Sequence, residues 1–262
     1  MVLPKLQRLL TNPNSGIFEI VELVRLDAGL ASRIIHISNS AWFGRGASCE
    51  TIEQAVNRVG FHNVQRLVAT AAVSTVVARS LSAYSLDDKA MWKESVSCAM
   101  AAELLATRVG EDAAEAYTIG LLHAVGRVAI NDFVRGAMPS WQLSDEGFPG
   151  EHSVAESSRL GFTQADVGAS MLKNWEFGSP DIEPIRAQYA PLAVNKPFDR
   201  MAAVLHGARM LRTIVCYPEI DRPVRPDTHV LDMLRMTESE LLGFIPDLRA
   251  QLTLAKQMTE LK

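Results

Sequence analysis

The sequence predicts an all-α protein, a small N-terminal helical bundle packed on a larger helical half. Three observations lead there. Apolar residues recur at steps of three and four along the periodic stretches, which places them on one face of a helix. No stretch shows the sustained alternation of a half-buried strand. Cap residues and glycines stand where the periodic stretches begin and end.

The N-terminal part reads as four short helices. "GIFEIVELVRLD" places Ile17, Ile20, Val21 and Val24 together, and "AGLASRIIHIS" follows with Leu30, Ile34 and Ile35. "TIEQAVNRVG" puts Ile52, Ala55, Val56 and Val59 on one face, with Thr51 as cap and Gly60 as stop. "HNVQRLVATAAVSTVVARSL" continues with Val64, Leu67, Val68, Ala71, Ala72 and Val76. Such short helices joined by brief breaks make a compact bundle.

From Asp87 the helices lengthen. "DDKAMWKESVSCAMAAELLATRVG" has Asp87 or Asp88 as cap and Gly110 as stop, and its alanine-rich middle is apolar nearly all round, as in a central buried helix. "EDAAEAYTIGLLHAVGRVAIN" is similar, with a break expected at Gly126. "DFVRGAMPSWQLSDEGFPG" reads as a loop. "HSVAESSRLG" and "TQADVGASMLKNWEFG" are amphipathic, the latter through Val167, Met171, Leu172 and Trp175. "SPDIEPIRAQYA" carries prolines at its start, where a helix tolerates them. "FDRMAAVLHGARMLRTIV" aligns Met201, Val204, Leu205, Ala208 and Leu211. A proline-rich hinge, "CYPEIDRPVRPDTHV", precedes a last helix whose Thr237 and Glu240 have capping-box spacing. The expected organisation is one unit over 3–214, made of a bundle over 3–80 and helices over 87–214, with a C-terminal helical extension over 215–262. No solenoid repeat is evident.

Composition narrows the function classes. The 262 residues are 48% hydrophobic and 21% charged, which is globular rather than disordered. A formal net charge of −4 argues against a broad nucleic-acid surface. Cys49, Cys98 and Cys216 are an odd, scattered set, so neither a disulfide framework nor a zinc knuckle is indicated. No stretch approaches the ~18 uncharged apolar residues needed to span a bilayer, and "MVLPKLQRLL" does not read as a signal peptide. A cytoplasmic protein is expected.

Few residues invite chemistry. "WFGRGAS" has Gly44 and Gly46 but lacks the Lys-Ser/Thr of a phosphate loop. No Gly-x-Ser-x-Gly elbow occurs. Asn39 and Ser40, at a helix end, are suited to bond free backbone groups, and Trp42 and Phe43 to packing. The six histidines, His36, His62, His123, His152, His206 and His229, include no pair spaced three or four apart and none followed by aspartate. A metal site needs several convergent ligands, so each alone reads as an ordinary histidine.

Several ordered stretches together resemble the HDOD family, the hydrolase-related output domain of bacterial signalling proteins. They are "LDAGLASRIIHISNSAWFG", "TIEQAVNRVGFHNVQRLV", "MWKESVSCAMAAELLA", "GLLHAVGRVAI" and "LGFTQADVGASMLKNWEFGSPDIEPIRAQY". The resemblance runs from about Leu3 to Leu211 and implies an HD-like helical bundle for the larger half. It also implies a ligand map taken from the related HD phosphohydrolases. The first histidine falls at Glu94, the His-Asp pair at His123 and Ala124, the later histidines near Gln164 and at Gln188 and Tyr189, and the last aspartate near Arg209. Only His123 keeps a customary ligand. Ala124 removes the carboxylate that would bridge two metals, and Arg209 puts a fixed positive charge where a dication would rest.

The expectation is therefore a pseudoenzyme with no cofactor and no metal. His123 marks an ancestral site and fills the interior, bonding to neighbours such as Glu94. The implied function is a non-catalytic signalling and regulatory module whose partners are other signalling proteins, with the surface near Asn39, Trp42 and Phe43 as a candidate contact. Two alternatives are a small-ligand or nucleotide sensor using the vestigial pocket of Glu94, His123, Gln164, Gln188 and Arg209, and a residual phosphohydrolase.

Overall fold

The computed structural model describes residues 18–19, 21–22, 34–35, 38–39, 48–60, 63–64, 79–143, 152–175, 177–219 and 227–260. Their regular elements are helices, together with one isolated antiparallel bridge between Leu81 and Leu86. The chain divides into two compact units, Met1–Val73 with Thr253–Lys262, and Ser74–Leu252. Residues 215–252 thus fall in the larger unit. No described helix is long and apolar enough to cross a membrane.

In the smaller unit helix α1 spans Ile52–Val59. Thr51 and Gln54 close a capping box at its start, and Gly60, at φ 84°, ends it. Ala55, Val56 and Val59 are buried, on the face that the spacing assigns to the core.

The larger unit is built around helix α2, Asp88–Val109. Asp87 caps it by accepting from the Ala90 amide at 2.6 Å. Gly110 ends it in the left-handed region, which glycine enters without strain. Helix α2 is flanked by α3 (Ala113–Leu122) and α8 (Asp199–Cys216). Around these lie α4 (Gly126–Ala137), α5 (Ser153–Leu160), α6 (Gln164–Asn174) and α7 (Ser179–Arg186). Helices α9 (Thr228–Leu234), α10 (Glu238–Leu242) and α11 (Ile245–Glu260) complete the described chain. The capping box of Thr237 and Glu240 opens α10 as its spacing predicts.

Two glycines set the closest helix approaches. A Cβ at Gly120 would lie 2.7 Å from the Cys98 carbonyl oxygen and from Ala99 Cα, so α3 meets α2 backbone to backbone. A Cβ at Gly126 would lie 2.0 Å from the Gln164 carbonyl oxygen, so α4 starts directly against α6.

Three sequence expectations need correction. The break expected at Gly126 comes just before it, in the turn His123–Val125, and Gly126 opens the next helix. Asp132–Ala137, read as loop, continues α4. Within that stretch only Val134 is buried, Phe133 faces outward and Gly136 lies inside the helix, so no apolar period marks it. Pro184 lies inside α7 rather than at its start.

Acidic residues at the starts of α3 and α7 carry raised pKa values. Burial pushes Glu115 up to about 7, with Asp181, Asp112 and Glu111 adding repulsion. Burial likewise pushes Asp181 up to about 6.

The close approach of α4 and α6 predicts that Gly126→Ala costs about 3 kcal/mol or more in a urea titration, because backbone must move. Gly136→Ala, in the same helix with nothing within 4 Å, should instead gain about 0.5–1 kcal/mol. Equal effects would contradict this packing. Because folding raises the pKa values of Glu115 and Asp181, their contribution to stability is present at low pH. It is lost as pH rises through about 6 to 7. The thermal midpoint should therefore fall between pH 5 and pH 8, and Glu115→Gln should flatten the fall.

Candidate functional site

The middle of the larger unit holds a polar centre where α2, α4 and α8 converge on one carboxylate. Glu94, on α2, is 1% exposed. Its Oε2 accepts from Arg127 Nη1 at 2.8 Å and from Arg212 Nη1 at 2.5 Å. Both arginines are as deeply buried as the glutamate. The Tyr217 hydroxyl, at the end of α8, donates to the other oxygen. Burial alone would raise the Glu94 pKa, but Arg212 and Arg127 outweigh it and hold the carboxyl down to about 2. Glu94 is an ionised, fully engaged group.

His123 closes α3 and is buried. Its Nδ1 lies 2.7 Å from the Gly120 carbonyl oxygen, a bond that assigns the ring proton to Nδ1. Burial, then Arg212, Arg127 and Arg209, push its pKa well below the ordinary value, so the ring is neutral. Nε2 has no hydrogen-bond partner among the described residues. The expected bond to Glu94 does not form. Two arginines and a tyrosine already take up the carboxylate, and the histidine turns to its own helix instead.

The remaining residues of the ligand map gather around the backbone of the same turn. Gln164 Nε2 donates to the His123 carbonyl oxygen at 3.1 Å, and Gln188 Nε2 donates to it at 2.9 Å. Gln164 also donates to the Tyr189 hydroxyl at 2.9 Å. Ala124 is fully buried beside them. Arg209, on α8, donates to the Gln188 carbonyl oxygen at 2.7 Å and lies 4.2 Å above the Tyr189 ring. A second buried carboxylate, Glu156 on α5, accepts from the Tyr84 hydroxyl at 2.9 Å and from the Gln164 amide at 2.6 Å.

All seven mapped residues thus belong to one region, but the contacts are those of a filled interior. Among the described residues no group of three or more His, Cys, Asp and Glu is placed to hold a metal. A cation entering here would meet Arg127, Arg209 and Arg212. At an effective dielectric of ~20, two unit charges ~4 Å apart interact by about 4 kcal/mol, and a dication doubles that for each guanidinium. Sequence reasoning missed Arg127, Arg212, Tyr217 and Glu156. The available signal was an arginine inside the apolar run "GLLHAVGRVAI" and a second on the inner face of α8, each in need of a buried carboxylate.

Of the second group of candidates, Asn39 bonds to the backbone of Cys49, ten residues along the chain. Its Nδ2 donates to the Cys49 carbonyl oxygen at 2.9 Å, and its Oδ1 accepts from the Cys49 amide at 2.7 Å. Ser40, Trp42 and Phe43 lie outside the described residues.

Glu94→Gln removes the charge that both guanidiniums share and should cost about 3–5 kcal/mol in a urea titration. Replacing Glu94, Arg127 and Arg212 together by apolar residues of similar size should recover much of that loss. A triple variant as unstable as the single one would contradict this account of the centre.

The HDOD domain profile matches residues 1–191. An uncharacterised protein of Treponema pallidum (strain Nichols) is 28% identical over 214 residues, 75% of this chain and 40% of that protein. The chain thus spans well under half the length of that relative. Among solved structures, a candidate signal-transduction protein of Marinobacter aquaeolei VT8 superposes with a TM-score of 0.78 and 22% identity. That superposition covers 99% of this chain and 59% of the other. An HDOD domain protein of unknown function from Geobacter sulfurreducens gives 0.73 and 20%, over 96% and 90% of the two chains. A candidate phosphohydrolase of Shewanella amazonensis SB2B gives 0.69 and 21%, over 98% and 93%. At such identities these likenesses speak for the fold, and the fold is HD-related and all-α. With the profile covering most of its length, the chain belongs to the HDOD domain family.

Proposed function

We propose that this HDOD protein is a non-catalytic regulatory module that works by binding other signalling proteins in a bacterial pathway. The observation that carries the reading is the engagement of Glu94. The carboxylate at the first ligand position is held by Arg127, Arg212 and Tyr217, so the centre already contains its own cations. Ala124 adds to this, since no carboxylate stands there to bridge two metals. A neutral His123 with Nδ1 committed to Gly120 offers one nitrogen where water activation needs a full ligand set. The likeness to the Marinobacter protein, named for signal transduction, is in keeping with a signalling role.

A sensor of small anions would have to offer Arg209 to its ligand. That guanidinium is instead spent on the Gln188 carbonyl and the Tyr189 ring. No contact in the centre favours the sensor over the interaction module. The vestigial set of Glu94, His123, Ala124, Gln164, Gln188 and Arg209 is on this reading a structural core. The stretch around Asn39, Trp42 and Phe43 is the candidate contact surface.

The test is metal content and turnover of the purified chain. After incubation with manganese or ferrous iron and desalting, the protein should carry far less than one metal per chain. It should cleave no phosphodiester, and its thermal midpoint should be unchanged by a chelator. Stoichiometric metal that His123→Ala abolishes, together with metal-dependent hydrolysis, would overturn the reading. Capture of a specific partner from the native bacterium by the full chain would then name the pathway.

A further inference from the structure

The segment 79–86 at the start of the larger unit is tied down by several polar contacts. Arg79 pairs with Asp132 at 3.2 Å, and the Arg135 guanidinium donates to the Ser82 hydroxyl. The Ala83 amide donates to Asn131 Oδ1 at 3.0 Å. The Leu81 and Leu86 amides donate to each other's carbonyl oxygens at 2.7 and 3.1 Å, which closes the segment into a tight loop. Ser85 turns that loop with φ at 52°, a left-handed conformation that costs a non-glycine residue energy. The loop inserts Tyr84 into the interior, where the residue is 2% exposed.

Tyr84 touches the polar centre on two sides. Its hydroxyl donates to Glu156, which also accepts from the Gln164 amide. Its ring lies 5.6 Å from the guanidinium carbon of Arg127, within cation–π range. Arg127 is at the same time a partner of Glu94. One guanidinium is therefore shared between the loop and the carboxylate, which links the two contacts. A leucine or phenylalanine would fill this space without a buried hydroxyl and carboxylate to satisfy.

We propose that segment 79–86 is energetically coupled to the buried centre, the hold of Tyr84 on Arg127 and Glu156 making the stability of the loop depend on how Glu94 is engaged. The device does not depend on whether the centre is catalytic. It needs only that Arg127 be shared, so it stands or falls separately from the regulatory reading above.

The test perturbs the far side of Glu94 and reads the loop. Tyr217→Phe removes one hydroxyl bond to the carboxylate, outside the segment, and is mild enough to leave the chain folded. Hydrogen exchange on the full chain should then speed up at the Leu81, Ala83 and Leu86 amides by about fivefold, with α9 as an unchanged control. Glu94→Gln should give a larger effect with the same pattern. In the reverse direction, Tyr84→Phe should speed exchange in α2 around Glu94, since coupling is reciprocal. Unchanged exchange at 81–86 in Tyr217→Phe, or a rise that α9 shares equally, would overturn the proposal.

Discussion

One carboxylate shared by two guanidiniums is the constraint on which the larger unit is organised. Taking a charge out of water costs several kcal/mol, and the attraction between buried charges repays this only when geometry and further hydrogen bonds are good. Glu94 meets both conditions, with Arg127 and Arg212 on one oxygen and Tyr217 on the other. The three charged residues come from α2, α4 and α8. Each helix is thereby fixed in rotation and register, because a slipped helix would bury a charge without its partner. Apolar packing alone tolerates repacking far more readily.

The turn His123–Val125 sits inside this arrangement as a neutral piece. Gln164 and Gln188 both donate to the His123 carbonyl oxygen, so α6 and the end of α7 are hung from one backbone group. Gly126 lets α4 start against α6, where any side chain would collide with backbone. In a metal enzyme, exchangeable cations would draw such helices together. Here permanently attached guanidiniums take that part, and they cannot be lost to a chelator or deprotonated at accessible pH.

Much of the fold was legible because local chemistry sets it. The Asp87 cap and the Gly110 stop bound α2, and Thr237 with Glu240 opens α10, all at positions readable from side-chain type and spacing. The end of α4 is not legible, because Asp132–Ala137 buries only Val134 while Phe133 faces outward and Gly136 lies inside the helix. Pairing between distant residues explains the gap at the site. The positions Glu94, His123, Ala124, Gln164, Gln188 and Arg209 could be mapped from the family pattern. Arg127 and Arg212 could not be assigned to Glu94, since 33 and 118 residues separate the partners and only the packed helices bring them together. For the same reason His123 was expected on Glu94, although its nearest acceptor is three residues back on its own helix.

The claim that matters most is that Glu94 is neutralised by arginine and not by metal. Anomalous diffraction from crystals grown with excess manganese, at a wavelength where manganese scatters strongly, tests it most directly. The account predicts guanidinium density from Arg127 and Arg212 on the Glu94 carboxylate and no anomalous peak within the larger unit. A manganese peak beside His123 Nε2, with either arginine turned away from Glu94, would contradict it.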